Sequence, residues 1–261
     1  MSVHVPGARR ACLGAGLVSV LSACGVPRLP VEQAELSRSI EPRVTPFSSG
    51  RLTLPDQVGW TRASFHPSKP PTRYDITEVS GERVLEARSE QSVSGLMHPV
   101  QADPRTVQWV EWRWWIENAL RDTDIGDRHS DDSPARLMLT FDGDSARLPV
   151  KEQMLGERFK LFTGRDMPFA TLMYTWDASR PVESITPSPH TAQIRKIVVQ
   201  SGASQVRTWM RFRRNFREDF LRAFGEEPGR LSGLIVMTDS DNTKQHARSL
   251  YGDIRLHAQV S

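Results

Sequence analysis

Residues 107–117 read VQWVEWRWWIE, and alternation sorts them into two faces of unlike chemistry. In an extended chain Val110, Trp112, Trp114 and Ile116 point to one side, and Trp109, Glu111, Arg113 and Trp115 to the other. The first set is a core face. Such a segment needs a sheet to lie in and an apolar layer to bury against, which is a strong constraint on fold class. Strand-like runs recur at Tyr74–Val79, Arg83–Ala87, Ala135–Phe141, Ala170–Trp176, Ile194–Gln200, Thr208–Arg213, Leu231–Thr238 and Asp253–Ala258. The first two flank Ser80-Gly81-Glu82 and make a hairpin candidate. Turn-rich segments separate the others, with no regular helical spacing and no internal repeat. Many short strands so arranged predict an all-β fold, an antiparallel β-sandwich of the jelly-roll kind, rather than a parallel α/β sheet.

One helix interrupts the strands. Asn215 is a good N-cap, and Glu218 follows three residues on. Phe216, Phe220, Leu221 and Phe224 share a face, Gly225 takes the C′ position and Pro228 prevents resumption. A short amphipathic helix at 216–224, packed on the sandwich, is expected.

The chain opens MSVHVPGARRACLGAGLVSVLSAC. Arg9 and Arg10 form a positive n-region, and residues 11–20 an uncharged run too short for a bilayer, which takes roughly 20 residues. Leu21-Ser22-Ala23 is a small-residue cleavage site. Cys24 directly after it is what a lipoprotein signal needs, since its thiol and freed amine together carry enough acyl chains for a stable anchor. Residues 1–23 are therefore expected to be a signal peptide and Cys24 the lipidation site, holding the protein to a membrane. Gly25 rather than Asp resembles outer-membrane sorting, and the expected location is the cell envelope, at the outer membrane facing the periplasm. Residues 24–50, rich in Pro, Ser and charge, read as a tether, and residues 51–261 as a single domain.

The signal contains two of the 34 basic residues and none of the 31 acidic ones. The mature chain is thus nearly neutral, which argues against a nucleic-acid partner, since that needs a sustained basic surface. The two cysteines are Cys12 and Cys24. With the first cleaved off and the second lipidated, the domain has no disulfide and no thiol nucleophile, and its stability must come from a core.

The outer set of residues 107–117 is the leading candidate for a ligand-binding site. Sugars are held by aromatic platforms under their C–H faces and by carboxylates and arginine forks at their hydroxyls. Thr208–Arg213 alternates likewise, with Trp209, Arg211 and Arg213 on one side and Met210 and Phe212 on the other. If the two strands share a sheet, Trp109, Glu111, Arg113, Trp115, Trp209, Arg211 and Arg213 line one surface. The alternative is that the tryptophans pack under loops while Glu111 and Arg113 pair with strand neighbours.

Acidic residues cluster beside several strands: Asp131 and Asp132, Asp142 and Asp144, Asp239 and Asp241 with Asn242, and Asp253. Asp239, Asp241 and Asp253 are candidate ligands for a structural calcium, a hard cation that takes loop oxygens. Asp239 onward is not an EF-hand loop, since Lys244 stands where glycine is required and Leu250 where glutamate is. The alternative for these aspartates is loop capping. Glu111 with Asp131, Asp132 or Asp142 could supply the carboxylate pair of a polysaccharide-cleaving enzyme. The chain lacks GxSxG, HExxH, Walker A and GxGxxG sequences, and its histidines show no ligand spacing. Arg211, Arg213, Arg214 and Arg217 form a basic patch suited to lipid or lipopolysaccharide phosphates, or else a solvated face paired with Glu218 and Asp219.

The strings YDITEVSGERVLEARSEQSVSGL, WVEWRWWIE, DDSPARLMLTFDGD, RRNFREDFLRAFGEEPGRLSGLIVMTDSDNT and YGDI, in that order, resemble the bacterial family known as domain of unknown function 3047. The likeness runs from about Gly59 to Ala258. It implies a secreted, often lipid-anchored domain with no established activity and no catalytic residues to carry over. More distantly, the pattern looks like jelly-roll carbohydrate-binding modules, a likeness of fold that does not license function. The expected function is a non-catalytic envelope module that binds a glycan or other surface polymer. A polysaccharide-acting enzyme using Glu111, or a scaffold that meets envelope proteins, are the alternatives.

Overall fold

The structure is a computed structural model and describes residues 42–49, 59–65 and 68–258. The expected signal peptide, Cys24 and most of the tether lie outside the described residues. Among the described residues, thirteen strands form two sheets. The first contains β1 (Thr61–Ala63), β4 (Val93–Ala102), β6 (Ser133–Phe141), β7 (Ala170–Asp177), β8 (Ile185–Pro187), β9 (Ile194–Ser201) and β11 (Leu231–Asp239), in the order β1-β4-β11-β6-β7-β9-β8. The second contains β2 (Arg73–Val79), β3 (Glu82–Glu90), β5 (Val107–Ile116), β10 (Met210–Asn215) and β12 (His246–Tyr251), in the order β10-β5-β12-β3-β2, with β13 (Arg255–Ala258) also paired to β5. Consecutive strands repeatedly cross between sheets, from β3 to β4, β4 to β5, β5 to β6 and again from β9 through β12. This is the expected all-β sandwich, with two departures: β7 and β9 pair in parallel, and a second helix joins the expected one.

Local chemistry explains the elements that the sequence marks clearly. Ser80 and Gly81 both have positive φ, 54° and 78°, so β2 and β3 join through a two-residue turn of the kind that matches strand twist. On β5, Val110, Trp114 and Ile116 are fully buried while Trp109, Glu111, Arg113 and Trp115 stay partly open. Trp112 bridges the layers: its ring stacks on Tyr174 of the opposite sheet and on Phe212 of β10, each at 4.9 Å. The short helix falls at Phe216–Phe224 as expected. Asn215 accepts the Glu218 N–H at 3.2 Å, and Gly225, at φ 77°, donates its N–H to the Leu221 carbonyl. Its buried Phe220 packs edge-on to Phe141 at 4.7 Å.

Other elements gave little sequence signal. A helix at Val150–Thr163, here α1, precedes the expected one, which becomes α2. Its single buried residue is Glu152, which accepts the Thr191 hydroxyl at 2.6 Å, while Val150, Met154, Leu161 and Phe162 are exposed. No apolar stripe faces a core, so no helical period marks it. The central strands β6 and β7 are buried on both faces, because Met138, Met173, Ile235 and Met237 form a second apolar cluster behind the main core. That explains their continuous apolar sequence. The domain also begins before residue 51. Phe47 is buried against Trp60 at 4.7 Å, and Ser48 donates its N–H and O–H to Asp253 at 2.9 and 2.6 Å. Residues 42–49 therefore belong to the packed domain, although they fall in the stretch read as tether.

Candidate functional site

The outer face of β5 is where the candidate residues meet. β10 pairs along one edge, setting Arg213 opposite Glu111 and Arg211 opposite Arg113. β12 and β13 follow each other along the other edge, setting Leu250 opposite Trp115, Arg255 opposite Glu111 and His257 opposite Trp109. Because directly opposed residues share a face, two strands far apart in sequence bring their charged sides together over β5.

The side chains interlock. Arg213 pairs with Glu111 at 3.1 Å and lies 4.6 Å over the Trp109 ring. Arg113 is hydrogen-bonded to Glu82 and lies 4.7 Å over Trp209. His257 approaches the other Glu111 oxygen at 3.6 Å. Arg248 covers Trp115 at 5.6 Å and binds Glu86 at 2.5 Å, so Trp115 belongs to a neighbouring cluster. The expected surface exists, but the tryptophans serve as shelves for guanidiniums and are not bare platforms. Among the guanidiniums runs an open groove of about 400 Å³, lined by Arg113, Arg211, Arg213 and Arg255 against Glu82, Glu111 and Asp253, with Trp112 and Phe212 at its floor. The Arg113 hydrogen bond, with Arg113 and Arg211 charge adding to it, holds the Glu82 carboxyl below the usual glutamate range.

Arg255, Glu82 and His257 were not among the expected site residues. The alternation of DIRLHA places Arg255 and His257 on one side, but only the pairing of β13 with β5 shows which surface that side joins. Gly252 matters for the same geometry. A Cβ there would lie 2.3 Å from Arg113 Nε, so glycine lets the Arg113 side chain cross the chain between β12 and β13. Of the basic patch, Arg211 and Arg213 reach the groove. Arg214 instead binds Asp219 and Glu183, and Arg217 binds Glu227 rather than Glu218.

The acidic candidates divide differently from expectation. Asp239 and Asp241 converge with Asp132, their oxygens within 4.8 Å of one another and all three buried. Asp253 lies apart, held by Ser48 at the groove. The convergent carboxylates already have partners. Asp132 accepts the Asn242 N–H at 3.1 Å and the Thr243 N–H and O–H, both at 2.6 Å. Asp241 binds Lys69, and Asp239 accepts the Ser133 N–H and faces Arg136 Nε at 3.2 Å. Nearby, Asp131 binds Arg136 at 2.9 Å and Lys196 at 2.5 Å. Burial raises the Asp131 carboxyl, but Arg136 and Lys196 more than offset it. Burial, then the charge of Arg136, brings the Lys196 ammonium down to about 8 despite Asp131. Burial also pushes the Asp239 carboxyl well up, against Arg136 and with the surrounding aspartates adding to the shift. A calcium ion would have to displace Lys69 and compete with Arg136. Calcium and EDTA are therefore expected to give the same melting midpoint, and a saturable rise with calcium would show that the ion displaces the lysine.

Glu111 does not meet the aspartates proposed as its catalytic partners. Asp131 and Asp132 are buried in this charge cluster, and Asp142 follows β6 in the other sheet.

A family model described as "Protein of unknown function (DUF3047)" matches residues 58–255. No curated protein matches the chain. Among solved structures, the chain is similar to TmCBM61, determined with beta-1,4-galactotriose, at 9% identity and TM-score 0.34, covering 83% of this chain and 100% of that one. It is similar to the xyloglucanase domain of NopAA from Sinorhizobium fredii, determined with cellobiose, at 7% identity and TM-score 0.42, covering 78% and 94%. A third is CBM28, a carbohydrate-binding module specific for non-crystalline cellulose, at 13% identity and TM-score 0.36, covering 82% and 99%. These likenesses carry no ligand over to this chain.

Proposed function

The chain belongs to the DUF3047 family, whose description names no activity, and from the geometry of its outer face we propose that it is a non-catalytic module that binds a glycan or other surface polymer, held in the bacterial envelope by lipid on Cys24. The observation that carries the binding reading is the groove across β10, β5 and β13. Rigid strands present fork-shaped donors and carboxylate acceptors to solvent, and mutual contacts fix Arg113, Arg213, Glu82 and Glu111, so little of their side-chain entropy is lost on binding. Glycoside cleavage needs a carboxylic acid kept protonated opposite an ionised one. Here the Arg113 hydrogen bond holds Glu82 low, the opposite of what that acid needs, which supports binding over catalysis.

The test is a thermal-shift screen of the full chain against envelope and plant polysaccharides. A true ligand at about 100 times its dissociation constant stabilises by roughly 2.7 kcal/mol. A well-folded protein that shifts with none of them, and that co-purifies with another envelope protein, would point to the scaffold instead. Trp109→Ala removes the shelf under Arg213 and is expected to weaken a ligand by about 1 kcal/mol, roughly fivefold, with the fold intact. Glu111→Gln separates the enzyme reading, since an enzyme would lose a turnover that the binder never shows. For the anchor, Cys24→Ser is expected to abolish fatty-acid labelling and release the protein from the membrane fraction. A serine variant that is still labelled and membrane-bound would overturn it.

A further inference from the structure

We infer that the groove selects an anionic glycan, with Arg211 and Arg255 as the two guanidinium forks that take its carboxylate or sulphate groups. This rests on the glycan-binding reading above and narrows it to a ligand class.

Three features lead there. First, neutral sugars are commonly gripped by stacking on a free aromatic face, and each outer-face tryptophan beside this groove has a guanidinium over one face. Trp109 is covered by Arg213 and Trp209 by Arg113. Second, the groove's hydrogen-bonding capacity is unevenly spent. Arg113 is committed to Glu82 and Arg213 to Glu111, and Asp253 is tied to Ser48. Arg211 and Arg255 are exposed, line the same groove and form no ion pair among the described residues. Third, the register places Arg211 directly opposite Arg113. Like charges in that position are destabilising across a strand pair, and the groove's acids Glu82, Glu111 and Asp253 are hydrogen-bonded or paired to Arg113, Arg213 and Ser48. An oxyanion bound between them relieves that repulsion.

The geometry also sets the kind of anion. Arg211 and Arg255 lie on opposite sides of β5, opposed to Arg113 and Glu111, two residues apart. Strand spacing and rise put their backbones roughly 12 Å apart. That separation suits charged groups on different units of a chain better than one small anion. Guanidinium forks match planar oxyanions through paired N–H donors, so the charged substituent supplies the recognition and the sugar backbone supplies the spacing.

The experiment titrates the full chain with sodium polygalacturonate and with its methyl ester, which keeps the backbone and removes the charge. Dextran sulphate and dextran form a second pair. Binding of an anionic polymer at least tenfold tighter than its neutral counterpart is expected. Arg211→Gln and Arg255→Gln should each weaken it roughly tenfold, the range for a lost hydrogen bond to a charged group, without moving the melting midpoint. Arg158→Gln, at an exposed position on α1, should change nothing. Preference for polygalacturonate assigns carboxylate, and preference for dextran sulphate assigns sulphate. Equal binding of charged and neutral partners would overturn the inference. So would a double Arg211/Arg255 variant that binds like the parent, or an equal loss in Arg158→Gln. If neutral glycans bind and anionic ones gain nothing, this inference alone falls. If no glycan of either kind binds, the binding-module proposal falls with it.

Discussion

Arg136→Leu is expected to destabilise the fold by about 3–5 kcal/mol, the range for removing one partner from a buried ion pair. The Arg136 side chain is 3% exposed. It donates to the Asp131 carboxylate at 2.9 Å and main-chain carbonyl at 3.0 Å, and faces Asp239 at 3.2 Å. Leucine fills part of the volume but leaves four buried aspartates, 131, 132, 239 and 241, against Lys196 and the more open Lys69. For a domain of this size each kcal/mol moves the midpoint by roughly 2–4 °C, so the variant should melt about 6–20 °C lower. Adding Asp239→Asn should recover much of the loss, because burial already pushes that carboxyl toward its neutral form. Denaturant unfolding of the two variants measures both effects. A change below about 1 kcal/mol in Arg136→Leu would mean that the aspartates are compensated by something other than this arginine.

Trp112→Ala is expected to cost about 3–5 kcal/mol, as for other large aromatic truncations in a core. Trp112 is stacked between Tyr174 and Phe212, is edge-on to Trp114 at 5.6 Å, and also borders the groove. Its loss opens a cavity where the two sheets meet beneath the binding face, so stability and affinity should fall together. Three residues earlier on the same strand, Trp109→Ala should cost at most about 1 kcal/mol of stability, because that ring lies on the outer face under Arg213. The contrast between the two tryptophans tests the sidedness of β5. Similar losses in both would contradict it.

That sidedness is the clearest case of a feature legible in the amino-acid sequence. Period two assigns a face to each residue of β5 from Trp109 onward, and to those of β10, without knowledge of the partner strand. The Asn215 cap, the Gly225 stop and the phenylalanines between them describe α2 for the same reason, since each signal is local. α1 escaped because it buries almost nothing, and β12 escaped because HARSLY alternates weakly.

Which strands lie side by side is a different kind of information. Alternation says that Arg211 and Arg213 point outward, but not that they meet Arg113 and Glu111, nor that Arg255 arrives from the far edge. Register is set by long-range packing of both sheets, and a different pairing with the same alternation would build another surface. The same holds for the aspartates, where loop oxygens suited to a hard cation suggested Asp253 with Asp239 and Asp241, and the fold put Asp132 there instead. The order of residues dictates the two-sheet class, the inward and outward faces of the strands and the limits of α2, because these depend on neighbours a few positions away. That guanidiniums cover the tryptophans, and that Arg211 and Arg255 enter the groove without an ion pair among the described residues, follows only from the packed sheets. Both depend on contacts between segments far apart in the chain, which no local pattern encodes.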